Sequence, residues 1–105
     1  MRFVETPVFT AAIQRLLDAE QYRRLQIALM LRPEQGPVIG GSGGLRKVRW
    51  ARAGGGKRGG VRIIYYWARA ETVLYMLYAY TKSEQGDLTP GQVRTLGRLV
   101  REEFK

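Results

Sequence analysis

The sequence predicts an α+β domain in which an antiparallel sheet of about four strands carries an N-terminal αα-hairpin and a C-terminal helix. Two segments with helix-start signals occupy the first third of the chain. Three segments rich in β-forming residues follow in the middle, and a last segment has the apolar spacing of a helix. The predicted order is β-α-α-β-β-β-α, with the helices on one face of the sheet, and residues 1–105 form a single domain.

The N-terminal part begins with a short strand over residues 2–5. Thr6 can cap a helix, and Pro7 suits its first position, so a first helix should run to about Leu17. Because almost no loop separates this helix from the next helical segment, the two should form an αα-hairpin.

A second helix follows directly. Asp18 and Gln21 have the spacing of a capping box, and Pro33 ends the helix. Residues 34–44 are rich in glycine and proline, which indicates a loop that leads into the first strand of the central sheet.

The central segments alternate or are dominated by β-branched and aromatic residues. Strands are predicted over residues 45–52, 61–68 and 72–80. The glycine-rich residues 53–60 connect the first two of these strands as a hairpin, and a short turn connects the last two. Three consecutive strands with short connections predict an antiparallel meander.

The C-terminal segment is predicted to be a helix that begins with Thr89 as its cap, Pro90 in the first position and Gln92 completing a capping box. Its apolar residues recur at helical spacing: Val93, Leu96, Leu99 and Val100.

The charge distribution indicates a polyanionic partner. The formal net charge is +9, and residues 46–69 carry eight basic and no acidic side chains. Excess charge confined to one window favours nucleic acid as a partner, although a solvated face that only keeps the protein soluble stays open.

Several functions are excluded by composition. The chain has no cysteine and no histidine, which removes disulfides, thiolate metal sites and the usual general base at neutral pH. We therefore expect no metal and no cofactor. No apolar run approaches the ~20 residues of a membrane span, and no signal peptide is visible, so a cytoplasmic protein without a membrane partner is expected.

Four basic residues form the candidate catalytic site. Lys47 and Arg49 are two apart on one strand, so their side chains should share a face about 7 Å apart. Arg62 opens the next strand, and Lys82 follows the last one. In an antiparallel meander all four can converge on one concave surface.

Such a cluster could cleave RNA without metal. The 2′-hydroxyl must lose a proton, the phosphorane must be stabilised, and the 5′-oxygen must gain a proton. Arginine clamps phosphate through paired hydrogen bonds. Lysine can act as the base if crowding by other cations lowers its pKa, and Lys47 is the best candidate, with Lys82 next. Glu84 and Asp87 could form an acid pair, but surface solvation is favoured.

Further RNA contacts are expected from Arg46 beside the cluster, from Lys57 and Arg58 at the tip of the glycine-rich hairpin, and from Tyr66, which shares the face of Arg62 and could stack on a base. The glycine-rich hairpin lacks the strand–loop–helix context of a P-loop, so that interpretation is rejected.

Three stretches carry a resemblance to a known family: GGLRKVRWA, KRGGVRIIYYW, and the strand that ends in YTKSE. From Phe3 to about Leu99 the chain resembles the HigB/RelE-type toxins of bacterial type II toxin–antitoxin modules, in particular the HigB branch. The resemblance implies the RelE-like fold and a ribosome-dependent mRNA endoribonuclease, or mRNA interferase, which inhibits translation by cutting mRNA in the ribosomal A site.

The resemblance also implies partners and site residues. A cognate antitoxin would block the activity, and operator DNA would be contacted only through the antitoxin. The family's basic catalytic residues fall on the four residues of the candidate site. Two positions depart from the family: Ser83 stands where an arginine occurs, and Thr89 where a tyrosine stacks on the substrate. The stacking role could pass to Tyr66 or Tyr80.

Two other functions stay open. A ParE-like toxin of the same fold would act on DNA gyrase, but that branch lacks the basic catalytic set. A non-catalytic RNA- or ribosome-binding module would use the same charge for affinity alone, with strong salt dependence.

Overall fold

The computed structural model describes residues 1–51 and 60–103, and within them it confirms the predicted α+β fold and element order. The predicted basic tip, Lys57 and Arg58, lies outside the described residues. The strands and helices have these bounds: β1 Arg2–Glu5, α1 Pro7–Leu16, α2 Ala19–Leu31, β2 Arg46–Trp50, β3 Val61–Ala68, β4 Val73–Thr81 and α3 Pro90–Glu103. A short 3₁₀ turn over residues 69–71 joins β3 to β4.

The four strands form one sheet in the order β1-β4-β3-β2. β2, β3 and β4 pair antiparallel in sequence, which confirms the predicted meander. β1 pairs with β4 in parallel, so the sheet is mixed and not antiparallel throughout. The αα-hairpin and strands β2 and β3 lie between β1 and β4 in the chain. A connection of that length allows two strands to pair in parallel, whereas a short hairpin connection makes them antiparallel.

The helices cover both faces of the sheet, so the expectation that they share one face is wrong. Phe9 and Leu25 of the αα-hairpin pack with Ile63 and Met76 on one face. On the other face, Val100 of α3 packs with a second set of strand side chains: Ile64, Ala68, Val73, Tyr75, Leu77 and Tyr80. We call these the hairpin face and the α3 face. Because β3 and β4 are apolar at nearly every position, both faces need a cover.

Local capping signals fix the three helix starts as predicted. The hydroxyl Oγ1 of Thr6 accepts a hydrogen bond from the backbone N–H of Phe9 at 3.0 Å. Asp18 and Gln21 form a reciprocal capping box. At α3, Thr89 Oγ1 accepts from the N–H of Gln92 at 3.1 Å, and the Thr89 N–H donates to Gln92 Oε1 at 2.9 Å.

A β-bulge in β4 determines which side chains reach the α3 face. Ile64 pairs with Tyr78 while the next residue, Tyr65, pairs with Met76, so Leu77 is the extra residue. The bulge reverses the alternation beyond it. Tyr78 and Tyr80 therefore pack with the α3-face cluster instead of the hairpin-face cluster that holds Met76.

α3 packs against the loop before β2 through a close backbone contact. A Cβ built on Gly97 would lie 2.7 Å from the carbonyl oxygen of Ser42, so only glycine fits there. Ser42 in turn orders its loop, since its hydroxyl accepts from the N–H of Leu45 at 3.0 Å. Within the described residues, none of the helices has both the length and the apolar character needed to cross a bilayer.

Candidate nucleic-acid interface

A row of polar side chains crosses three strands on the α3 face, and we call it the basic row: Lys47, Arg49, Arg62 and Tyr80. Arg49 of β2 pairs with Arg62 of β3, and Arg62 pairs with Tyr80 of β4. Lys47 lies two residues from Arg49 on the same face, while Val48, between them, packs on the hairpin face. Direct cross-strand neighbours have Cβ atoms about 5 Å apart. The structure thus brings Lys47, Arg49 and Arg62 together, as the sequence predicted.

Arg62 is a buried cation without a counter-charge among the described residues. Only 8% of the residue is exposed, its Nε has no hydrogen-bond partner, and no carboxylate within the described parts of the chain pairs with its guanidinium. Burying an unpaired charge is costly, because the desolvation of the ion is not repaid. A protein that retains such an arginine is expected to gain its counter-charge from a bound anion.

Asp87 joins the basic row from the loop between β4 and α3. Its Oδ1 lies 3.2 Å from the ammonium of Lys47, accepts the N–H of Leu88 at 2.9 Å, and receives a long hydrogen bond of 3.5 Å from the hydroxyl of Tyr80. The N–H of Leu88 and the ammonium of Lys47 lower the pKa of Asp87 below its ordinary value. The carboxylate therefore stays charged beside the cations.

Sequence reasoning missed Asp87, which it assigned to surface solvation. The side chain is indeed 70% exposed, but that of Lys47 is only 21% exposed. The signal that could have found it is its position directly before Leu88 and the capping box of α3, where a carboxylate accepts backbone N–H groups.

Tyr80 is buried in the row. Its residue exposure is 0%, and its ring lies 5.7 Å from that of Tyr78. Burial and the charge of Asp87 raise the pKa of Tyr80 to about 12, and the nearby Arg62 opposes that rise. A buried ring cannot stack on a base, so the contact to Asp87 is its visible role.

Lys82 lies in the exposed turn after β4, two residues beyond Tyr80. Glu84 organises this turn: its Oε1 accepts from the hydroxyl of Thr81 at 3.1 Å and lies 3.2 Å from a guanidinium nitrogen of Arg15 on α1. Arg15 and Thr81 lower the pKa of Glu84. Neither Lys82 nor Arg49 has a hydrogen-bond or ion-pair partner within residues 1–51 and 60–103, which leaves both cations available.

Two predicted contacts lie away from the row. Arg46 points to the hairpin face, where its guanidinium donates to the carbonyl oxygens of Glu34 and Gly36, each at 2.9 Å. Tyr66 is on the α3 face but four residues along β3 from Arg62, about 13 Å, where its ring stacks on Tyr75.

An open cavity of about 450 Å³ adjoins the row and was not anticipated from the sequence. Its walls are Tyr78, the cap residue Thr89 and four residues of the first two turns of α3: Gly91, Gln92, Thr95 and Leu96. Gln85 links the cavity to the row, because its Nε2 donates to the carbonyl of Asp87 at 2.7 Å and the Tyr78 hydroxyl lies 3.4 Å from its Oε1. The cavity offers one half-buried aromatic ring with hydroxyl and amide groups.

The residues described here contain no group of three or more acidic side chains placed to hold a metal ion. The row itself offers guanidinium and ammonium groups, one carboxylate and one phenol.

The fold and the basic row define a small α+β protein with a cluster of cations on one face of its sheet. A family model described as the RelE toxin of the RelE/RelB toxin–antitoxin system matches residues 30–104. Since that match spans more than half of the chain, the protein belongs to the RelE toxin family.

A solved structure supports the same fold. An arginine-to-alanine double mutant of the E. coli toxin RelE, in the free state, matches with a TM-score of 0.59, covering 80% of this chain and 85% of that one. Their sequences are 14% identical, so the likeness concerns the fold, and it confirms the RelE-like architecture.

Proposed function

We propose that this toxin is a ribosome-dependent mRNA endoribonuclease of the HigB branch, which inhibits translation by cutting mRNA in the ribosomal A site. The observation that carries the proposal is the buried guanidinium of Arg62 between Arg49 and Tyr80, which has no carboxylate partner in the described parts of the chain and whose Nε has no hydrogen-bond partner there. A phosphodiester supplies the missing negative charge, and two arginines can clamp its oxygens.

The proposed reaction is attack of the ribose 2′-oxygen on the adjacent phosphorus. The 2′-O–P bond forms and the P–O5′ bond breaks, leaving a 2′,3′-cyclic phosphate and a 5′-hydroxyl. Arg49 and Arg62 hold the non-bridging oxygens and stabilise the phosphorane, where the negative charge develops. Lys82, exposed at the end of β4, donates the proton to the departing 5′-oxygen.

The Lys47–Asp87 pair provides the base. The sequence hypothesis gave this role to Lys47 on the ground that neighbouring cations would destabilise its ammonium form. The carboxylate of Asp87 lies 3.2 Å from the ammonium of Lys47, so a proton acceptor other than lysine adjoins the row. We therefore assign the 2′-hydroxyl proton to the exposed carboxylate of Asp87, and a phosphate contact to the ammonium of Lys47.

The cavity beside the row suits a nucleobase next to the scissile phosphate. The ring of Tyr78 would stack on the base, which replaces the stacking that the sequence assigned to Tyr66 or Tyr80. The Gln92 amide and the hydroxyls of Thr89 and Thr95 would contact its polar edge. Base–aromatic stacking contributes about 1–3 kcal/mol per base.

The remaining partners follow from this role. The ribosome would supply both the mRNA and an rRNA surface for the basic protein, and a cognate antitoxin would block the activity. Contact with operator DNA would occur only through that antitoxin.

Expression without the antitoxin tests the proposal. We expect the parent to arrest growth and to generate new mRNA 5′ ends within codons on translating ribosomes, and Lys47→Ala and Arg62→Ala to do neither. Arg69→Ala is the matched control, because Arg69 stacks on Trp67 at 4.9 Å, near the opposite end of β3 from Arg62. Parent-like arrest by both site variants would refute the assigned site. Arrest without new 5′ ends, together with loss of gyrase supercoiling, would indicate a ParE-like toxin instead.

A further inference from the structure

Helix α2 is apolar on two sides. Its inner side buries Leu25 and Leu29 completely against the hairpin face of the sheet. On its outer side Ile27 and Met30 are about half exposed, at 48% and 49%, and Leu31 is 77% exposed. Exposed large apolar side chains are common one at a time, but three within five residues of one helix form a patch that water solvates poorly. An amphipathic helix that packs against the protein on one side only would have polar residues on its outer side.

The outer side of α2 combines this apolar patch with positive charge. Arg23, Arg24, Ile27 and Leu31 are spaced by three and four residues, so they lie on one helical face. A shallow cavity of about 500 Å³ lies on the same side and is lined by Ala19, Glu20, the two arginines and Ile27. Arg24 pairs with Glu20 at 3.0 Å, while Arg23 has no ion-pair partner in the described parts of the chain. We call this surface the α2 outer face.

The charged and apolar residues of the α2 outer face indicate which kind of partner can bind there. An RNA backbone would satisfy the arginines but would leave Ile27 and Leu31 against a charged, hydrated surface. A second copy of this chain would match the apolar residues but would bring the arginines of two strongly basic molecules together. A peptide segment that carries carboxylates beside apolar side chains satisfies both parts.

We propose that the α2 outer face is a docking site for an acidic, amphipathic segment of the antitoxin. This inference rests on the proposed toxin function, which supplies a partner protein. Apolar side chains of that segment would cover Ile27 and Leu31, and its carboxylates would face Arg23 and Arg24. Because α2 covers the hairpin face, this contact lies on the other side of the sheet from Lys47 and Arg62. Docking affinity and RNA cleavage should therefore be separable by mutation.

Two variants of the full-length chain test the proposal: Ile27→Glu and Leu31→Glu. The probe is the purified product of the open reading frame beside this chain's gene, first shown to restore growth when co-expressed. Titration calorimetry should show affinity at least about tenfold weaker for each variant, a loss of about 1.4 kcal/mol. In cells each variant should still arrest growth but resist neutralisation. Val38→Glu, at an exposed apolar residue outside α2 (52%), is the control and should bind as the parent does.

Each alternative outcome overturns the proposal in its own way. Variant affinities within twofold of the parent, with unchanged melting temperatures, would show that the antitoxin docks elsewhere. Loss of growth arrest in both variants would assign the α2 outer face to the ribosome. A parent dimer in sedimentation that Leu31→Glu dissociates would assign it to self-association. If the parent arrested growth without producing new mRNA 5′ ends, the proposed nuclease function would fall, while calorimetry with the same probe would still decide the docking surface.

Discussion

Lys47 of β2 and Asp87, forty residues later in the loop before α3, form an ion pair of 3.2 Å at the edge of the sheet. The contact links the strand that carries two of the predicted catalytic cations to the loop that leads into the cavity beside Tyr78. It places one carboxylate among the cations of the basic row, and the proposed reaction gives that carboxylate the 2′-hydroxyl proton.

Replacing Asp87 should therefore impair cleavage without unfolding the protein. For Asp87→Asn we expect at least a tenfold lower cleavage rate on programmed ribosomes under single-turnover conditions, because the proton acceptor is lost. The effects of Asp87→Asn and Lys47→Ala should not add, since the two groups form one pair. Additive losses would show that the residues act separately. Asp18→Asn, at the exposed cap of α2, is the control.

The pH dependence of cleavage should separate a carboxylate base from a lysine base. The pKa of Asp87 is lowered, so its charged form is already complete well below neutrality and is lost only as the pH falls through that lowered pKa. We expect a rate that is flat between about pH 6 and 8. A lysine base, which must lose its proton before it can act, would instead make the rate rise with pH over this range.

Arg62→Met should stabilise the protein while it abolishes cleavage. The methionine fills the same buried site and removes a charge that has no counter-charge within residues 1–51 and 60–103, so the free energy of unfolding should rise by about 1 kcal/mol or more in urea titrations. The phosphate contact disappears with the guanidinium. Destabilisation by Arg62→Met would instead show that the arginine has a counter-charge in the free protein. Arg69→Met, at an exposed arginine, should change neither quantity.

Arg46 should prove structural, contrary to the RNA contact predicted from the sequence. Its guanidinium holds two carbonyl oxygens of the loop between α2 and β2. Arg46→Ala leaves both carbonyls without this donor, so we expect a loss of about 2 kcal/mol in the free energy of unfolding. Cleavage per folded molecule should stay within twofold of the parent. A stable Arg46→Ala variant with weakened ribosome binding would restore the original interpretation.

Two glycine-to-alanine substitutions in α3 should change the free energy of unfolding in opposite directions, because only one of the glycines lies against the loop before β2. Gly97→Ala should lower the free energy of unfolding by about 2 kcal/mol, because the new Cβ would overlap the carbonyl of Ser42. In Gly91→Ala the nearest atoms to the Cβ are 3.8 Å away, so the better helix propensity of alanine should add about 0.5 kcal/mol. Equal effects of the two substitutions in thermal unfolding would show that α3 is not held at Ser42.

Much of the fold could be predicted because its signals are local. Capping residues three apart, such as Asp18 and Gln21, determine where a helix begins whatever the rest of the chain does. Alternation placed Lys47 and Arg49 on one face, and the short connections predicted the meander. The sequence by itself therefore determined the element order and the position of three basic residues on the α3 face.

Only the tertiary structure decided the composition of the site. The bulge at Leu77 arises from the pairing of β4 with β3, and it turns Tyr78 and Tyr80 toward Arg62, whereas simple alternation from Leu74 and Met76 would place them on the hairpin face. Three other features also join segments that are far apart in the sequence: the contact of Asp87 with Lys47, the parallel pairing of β1 with β4, and the position of α3 on the second face of the sheet. These contacts are stabilised by packing and burial between residues far apart in the sequence. No periodic pattern in the neighbouring residues therefore predicts them.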